Sequence, residues 1–478
     1  MVFNSTSFAL FFVLFFAVYW LVAKNVKLQN LFLLLGSYVF YAWAEWHFLF
    51  LLIGISALNF FLGIYIEKSK SPKHRKLLLY IGLIQGIGGL AFFKYYNFFI
   101  ESFESLFQSL SLSFNLQTLH ILIPLGISFF TFRTLSYLLD IDKGKIEASK
   151  DWIVFFNYVA FFPSLLSGPI DKARDFAPQL EKERVFEYEN GIDGLKQILW
   201  GLFKKVVIAD NCAVVVNQIF GSFDTLPSSS LWLGMFLYCI QVYADFSGYS
   251  DMAIGVSKLL GFKVSKNFDF PFFAQSIPEY WRKWHISLTS WLTEYVFTPL
   301  SISFRNYDKL GLIVAIVINF VICGIWHGAN WTYVLFGFVH GLYFIPAILS
   351  GSMYKKKKVD LNKTFPSFKE LVNMITTFIP VMFTFVIFKS ETISQAFQYY
   401  GKMFTKTILS APAAFPLYIV GFVGIFMVLE WNGRSQDYAM KKTFSKFPMV
   451  FQIMFYFTLL AMIFVFSTKE QQFIYFQF

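Results

Sequence analysis

Residues 310–350 read LGLIVAIVINFVICGIWHGANWTYVLFGFVHGLYFIPAILS, a stretch without a single Asp, Glu, Lys or Arg. A helix that crosses a bilayer needs about 20 mostly apolar residues. The stretch therefore holds two spans, near 310–326 and 330–350, joined through His327-Gly328-Ala-Asn330. Runs of the same kind precede it near 6–23, 28–44, 48–66, 77–100, 119–139, 151–168 and 229–244, and follow it near 372–389, 415–432 and 447–467. The pattern predicts an all-α, polytopic integral membrane protein of about 11–13 membrane helices with further re-entrant or interfacial ones, in a single membrane domain.

Composition agrees. Only 14% of the 478 residues are charged, against about 25% in an ordinary soluble protein, too few to cover the apolar surface of a water-soluble fold. Aromatic residues make up 21% and include 65 Phe, side chains that fill helix contacts and anchor at membrane interfaces. The net charge of +11 sits in short loops between apolar runs. That placement points to positive-inside bias and lipid headgroups and away from nucleic acid. Lys24 and Lys27 follow the first run and Lys68 to Lys76 the third, whereas Glu45, Glu101 and Glu104 follow the second and fourth. The alternation predicts an outside N-terminus and cytoplasmic basic loops, Lys355–Lys358 among them. The first run lacks a basic leader and a small-residue cleavage pattern, so it reads as an uncleaved span. Cys212, Cys239 and Cys323 show no CxxC spacing. They predict buried thiols, with no disulfide framework and no metal site. No 20–50-residue repeat is evident, which disfavours a transporter built from inverted repeats.

Residues 171–190 read as a charged loop or surface helix. After them Leu195, Ile198, Leu199, Leu202 and Phe203 recur at helical spacing with Lys196, Lys204 and Lys205 off the apolar face, predicting an amphipathic helix at the interface. The chemistry concentrates in 241–343. Ionisable groups in or near a span are costly and are functional suspects. In Tyr280-Trp-Arg-Lys-Trp-His285-Ile-Ser-Leu-Thr-Ser-Trp291-Leu, one helical stripe holds Trp281, Trp284, His285, Leu288 and Trp291. On periodicity alone the stripe reads first as a structural His bonded to a backbone carbonyl, and second as a catalytic one. His327, between Gly324 and Gly328, has glycines that admit close approach. Trp326 and Trp331 can wall a pocket there, in which a neutral imidazole acts as general base, or the residue simply packs helices; His340 ranks behind it. Asp245 and Asp251 in Gln241-Val-Tyr-Ala-Asp-Phe-Ser-Gly-Tyr-Ser-Asp need donors nearby and read first as structural, orienting a His or Arg or capping helices around Gly248. Asn267-Phe-Asp-Phe-Pro271 reads as a turn. The residues by themselves stop at a membrane enzyme or transporter with a histidine-containing polar core.

These motifs together resemble the membrane-bound O-acyltransferase (MBOAT) family, in its alginate and surface-polysaccharide O-acetyltransferase branch. The resemblance runs through Phe92-Phe-Lys-Tyr-Tyr-Asn97, Pro124-Leu-Gly-Ile-Ser-Phe-Phe-Thr-Phe132, Phe161-Phe-Pro-Ser-Leu-Leu-Ser-Gly-Pro169, the 245–251 and 267–271 segments, Trp281–Leu288 and Gly324–Trp331. The motifs stand in the family's order over about 90–345, and the outer thirds match mainly as hydrophobic runs. Arg133, Thr293-Glu294 and Ser301-Ile302 depart from the usual pattern. The resemblance implies an MBOAT fold of spans around a thin central core. His327 falls on the family's catalytic histidine and His285 on its second one, with Asp245, Asp251, Asn267, Trp281, Trp284, Trp326, Asn330 and Trp331 as supporting or tunnel residues. It further implies acetyl transfer from acetyl-CoA or another cytosolic acyl thioester, with no bound cofactor, onto a cell-surface polysaccharide. The expected setting is a bacterial inner membrane, with a periplasmic Ser-dependent acetyltransferase as partner. The chain's last residues, Phe473-Ile-Tyr475-Phe-Gln-Phe478, read as an aromatic interface anchor. They are also similar to the aromatic-Tyr terminus of a small subunit in the D-alanyl-transferring branch, which implies Tyr475 as an acyl carrier. The rival readings are a secondary transporter or flippase of an envelope-glycan precursor, and a lipid acyltransferase of the same family.

Overall fold

The computed structural model describes residues 1–111, 118–355, 360, 363–413, 416–443, 447–467 and 471–476, with Tyr475 described by its backbone alone. Among them every regular element is helical. Six helical stretches are long and apolar enough to cross a membrane: His47–Lys68, Pro72–Ser109, Arg305–His327, Trp331–Leu349, Phe368–Lys389 and Met449–Phe466; Thr6–Leu21 and Leu417–Gly433 are apolar but shorter. The protein is a multi-pass membrane protein. The chain forms two compact units, Met1–Gly194 with Val256–Ser265, and Leu195–Gly255 with Lys266–Phe478. The expected basic loop lies, beyond Lys355, outside the described residues.

In the first unit, side chains at helix starts satisfy backbone N–H groups that have no partner within the helix. Ser5, Asn25 and Asp151 accept from Phe8, Leu28 and Ile153. The run 151–168, expected as one span, is broken: the Trp152–Ala160 helix ends where Phe161 turns extended, and Pro163 opens a short turn, Phe162–Leu165. Arg133 explains why the break holds. Its buried guanidinium donates to the carbonyls of Tyr158, Val159, Ser164 and Pro169 at 3.1–3.3 Å. The run 119–139 likewise becomes helical only at Ile127, after Gly126 at φ 75°.

In the second unit, the Asp308–His327 and Trp331–Tyr343 helices approach backbone to backbone. A Cβ on Gly324 would lie 2.1 Å from the Tyr333 carbonyl oxygen, and one on Gly337 would lie 2.1 Å from that of Phe320. Small residues at such crossings let membrane helices pack where no hydrophobic drive separates protein from lipid. The expected amphipathic helix forms as Tyr188–Leu202 with Leu195 exposed, but its end is built inward. Trp200 is fully buried, and a π-helical segment, Phe203–Ala209, buries both Lys204 and Lys205. The helix turn just before it rests on the Ser228–Leu259 helix through Gly201 and Gly248, whose added Cβ atoms would meet each other's carbonyl oxygens at 2.6 and 2.8 Å.

Candidate active site

The predicted single helix over 280–292 does not form. The Ile277–Lys283 helix stops at extended Trp284, and the Ile286–Leu292 helix starts after His285, which sits in the left-handed region at φ 44°, ψ 54°. A residue with a Cβ pays for that conformation and keeps it only where its surroundings impose it. Here the imposing element is the 267–271 segment. The Asn267 carbonyl accepts Ile286 N–H at 2.8 Å and Asp269 N–H reaches the Lys283 carbonyl at 2.9 Å. Asn267 was expected to bond its own turn; its side chain crosses over instead. Its Oδ1 accepts from Ser287 N–H at 3.4 Å and Ser287 Oγ at 3.0 Å, and lies 2.9 Å from His285 Nδ1, while its Nδ2 donates to Ser250 Oγ at 3.1 Å. A backbone N–H only donates, so the Ser287 contact fixes which end of the amide is oxygen. His285 Nδ1 is then the protonated nitrogen, and in the neutral ring Nε2 carries the lone pair.

His327 closes the Asp308–His327 helix and is buried. Cys323, one turn earlier, places its sulfur 3.9 Å from His327 Nε2. Phe388 and Trp326 stand edge-on at 5.3 and 5.1 Å. The same Trp326 lies 5.7 Å from the His285 ring, so one indole has both histidines as neighbours. Trp331 is 54% exposed, because Asn330 turns extended and caps the next helix, directing Trp331 away. Asn330 spends its amide on Thr332 N–H and the Glu391 carbonyl, at 2.9 and 2.8 Å, and does not point to His327.

Trp281 and Trp284 serve neighbouring clusters. Trp281 donates its indole N–H to His340 Nδ1 at 3.1 Å, and His340 Nε2 lies 2.9 Å from Thr384 Oγ1. An acceptor at Nδ1 requires the Nε2–H tautomer, and both nitrogens of His340 are thereby occupied. Trp284 stacks on Tyr280 at 5.5 Å and meets Phe268 edge-on at 5.1 Å.

Asp245 and Asp251 have lysines as partners, where a His or Arg was expected. Lys204 pairs with Asp251 and reaches Ser247 Oγ at 2.9 Å; Gln197 donates to the other Asp251 oxygen at 2.7 Å. Lys205 lies 2.8 Å from both Asp210 and Asp245. Sequence reading missed Lys204, Lys205 and Asp210 as partners, since the two lysines lie tens of residues from Asp251 and Asp245 in a run read as surface, and Asp210 follows directly on that run. The usable signal was Gly201 and Gly248, small residues set among bulky ones on two facing helices. Among the described residues no cluster of His, Cys, Asp and Glu is suited to hold a metal.

The family model described as MBOAT, membrane-bound O-acyltransferase family, matches residues 147–388. The chain is 36% identical to the probable alginate O-acetylase AlgI of Pseudomonas syringae pv. tomato over 85% of this chain and 75% of that protein. It is 32% identical to the peptidoglycan O-acetyltransferase of Helicobacter pylori over 78% and 73%. With the teichoic acid D-alanyltransferase of Streptococcus thermophilus it shares 31% identity over 55% and 68%. The chain belongs to the membrane-bound O-acyltransferase family, and it is an O-acyltransferase.

Proposed function

We propose that this acyltransferase takes an acyl group, acetyl by preference, from a cytosolic thioester such as acetyl-CoA and delivers it for O-acetylation of a polysaccharide outside the bacterial inner membrane, with Tyr475 as carrier. The observation that carries this reading is the buried His285–Trp326–His327 arrangement with the chain's C-terminal segment seated beside it. Phe246 is edge-on to His285 at 4.6 Å, and Phe473 lies 6.2 Å from Phe246. The backbone of Tyr475 continues from there in a short helical turn, Ile474–Phe476; its side chain lies outside the described structure.

In the proposed reaction His327 accepts the phenolic proton as Tyr475 Oη attacks the thioester carbonyl. A C–O bond forms, the C–S bond breaks, and the proton passes to the departing thiolate, so no other reactant is consumed. A phenol, with a pKa near 10, ionises more readily than a sugar hydroxyl and leaves an ester that still donates acyl groups. His285, held by Asn267, borders the reacting centre. A cavity of about 520 Å³ is lined by basic Arg282, Lys283, Lys363 and Arg434 and by acidic Asp269, Glu279, Asp360 and Glu370, a charged lining that suits the polar part of a soluble donor. The second transfer, to a glycan hydroxyl, falls to a periplasmic Ser-dependent acetyltransferase. Relatives named for alginate and peptidoglycan favour a glycan over a lipid acceptor. The test is the base-labile acetyl ester content of surface glycans in a His327→Ala strain whose protein level and membrane insertion match wild type. Loss of the esters is expected; wild-type ester content would sink the reading.

A further inference from the structure

The chemistry above gives no task to Lys205, yet this ammonium is 4% exposed. Two of the oxygens it faces are the carboxylates of Asp210 and Asp245, each at 2.8 Å. The third is the main-chain carbonyl of Gln471, to which Lys205 donates at 2.9 Å. An ammonium carries three N–H donors, and here three oxygens surround it, one supplied by the C-terminal segment. The other oxygen of Asp245 accepts the Ile474 N–H at 2.7 Å. Two main-chain groups three residues apart are thus gripped by one buried ionic cluster. Between them Phe473 stacks on Tyr249 at 4.8 Å, and both Phe473 and Ile474 are buried. An aromatic membrane anchor would leave these two residues to the lipid.

We infer that Lys205, with Asp210 and Asp245, is a positioning clamp that seats the C-terminal segment Gln471–Ile474 and so fixes where Tyr475 is presented to the histidines. The inference rests on Tyr475 being the acyl carrier. Lys205 touches no reacting atom; it acts through the main chain of the tail. The paired charges suit the task, because hydrogen bonds to charged groups are the stronger ones and add a main-chain hold to the packing of Phe473 and Ile474.

The test uses the full-length protein in detergent, with two readouts. One is hydrogen exchange of the C-terminal peptide against a peptide from the Asp308–His327 helix. The other is the rate of acetyl labelling at Tyr475 with acetyl-CoA, followed by mass spectrometry. Lys205→Met removes the clamp from the body. It also leaves two buried carboxylates unpaired, which threatens folding, so Ile474→Pro is made in parallel; it removes the N–H given to Asp245 together with the Ile474 side chain, and leaves every charge of the cluster in place. In each folded variant the tail exchanges at least about tenfold faster while the helix stays protected. Labelling at saturating acetyl-CoA slows at least about tenfold with an unchanged KM, the signature of a misplaced acceptor and not of a damaged donor site. A tail that stays protected in the folded variants overturns the clamp, as does undiminished labelling once the tail is released. Tyr475→Phe separates the two proposals. It leaves the tail protected and abolishes labelling; if glycan esters persist in that variant, the carrier reading fails while the docking measurement still decides whether Lys205 seats the tail.

Discussion

Gly324→Ala tests whether the histidine centre depends on the contact of two helix backbones. The added Cβ would lie 2.1 Å from the Tyr333 carbonyl oxygen, 3.0 Å from its carbon and 3.2 Å from Gly337 N. These are main-chain atoms, and no rotamer change moves them aside. Restoring ordinary van der Waals contact requires the helices to part by more than about 1 Å, an overpacking that costs about 1–3 kcal/mol. His327 lies three residues beyond Gly324 and is framed by Phe336 and Phe388 at 6.1 and 5.3 Å, so it moves with its own helix relative to that frame. Misplacing a reacting group by about 1 Å costs about 100-fold in rate. We therefore expect Gly324→Ala to insert into the membrane, unfold at a lower temperature, and lower glycan ester formation about 100-fold. Gly337→Ala, which meets the Phe320 carbonyl oxygen at 2.1 Å, should behave alike, whereas Gly88→Ala, with open space around its Cβ, should change neither quantity. The assay is ester content per membrane-inserted molecule. Wild-type turnover in Gly324→Ala, with the protein inserted, would refute the claim that this crossing positions His327.

Three further outcomes follow from the same geometry. Asn tolerates the left-handed region better than other residues with a Cβ, so His285→Asn should keep wild-type membrane levels and lose ester formation, while His285→Ala loses both; full activity in His285→Asn would remove the imidazole from the mechanism. His340→Ala strips Trp281 and Thr384 of their shared partner and should cost about 1–3 kcal/mol of stability, with turnover per folded molecule retained; complete loss of turnover at unchanged unfolding temperature would show that His340 does chemistry. Asp251→Leu removes the ion pair of buried Lys204, leaving it the field of Glu430, and should destabilise by about 3–5 kcal/mol, whereas adding Lys204→Met should recover most of that loss; additive losses in the double-mutant cycle of unfolding free energies would mean the pair does not interact.

The membrane character was legible because it is a local property. The uncharged 310–350 stretch holds the Asp308–His327 helix from its third residue and the whole Trp331–Tyr343 helix, and no distant residue is needed to see them. The site was legible only through motifs, because its geometry comes from pairings that periodicity cannot express. Residues 280–292 keep one helical stripe in the sequence, yet the chain breaks at His285, since the partner that enforces the break, Asn267, lies 18 residues away. Lys204 and Lys205 look solvated in a helical projection, and become buried only because Gly201 and Gly248 let two backbones touch and bring Asp245 and Asp251 within reach.

The charged groups carry the argument one step further. An Asp in an apolar helix announces that a donor must exist without saying which. For Asp245 the donors are Lys205 and the main chain of Ile474, 229 positions away. Replacing a buried ion pair by apolar residues of similar volume is often neutral or stabilising, so stability alone gives little reason to keep five buried charges between the Phe203–Ala209 segment, Asp210 and the Ser228–Leu259 helix. Their geometry supplies another. Lys204 and Asp251 satisfy each other with Gln197 and Ser247, entirely within the body of the unit. Lys205 and Asp245 each keep one bonding direction for the tail. Two adjacent lysines, each on its own aspartate of one helix, thus divide into a pair that closes on itself and a pair left open toward residues 471–474.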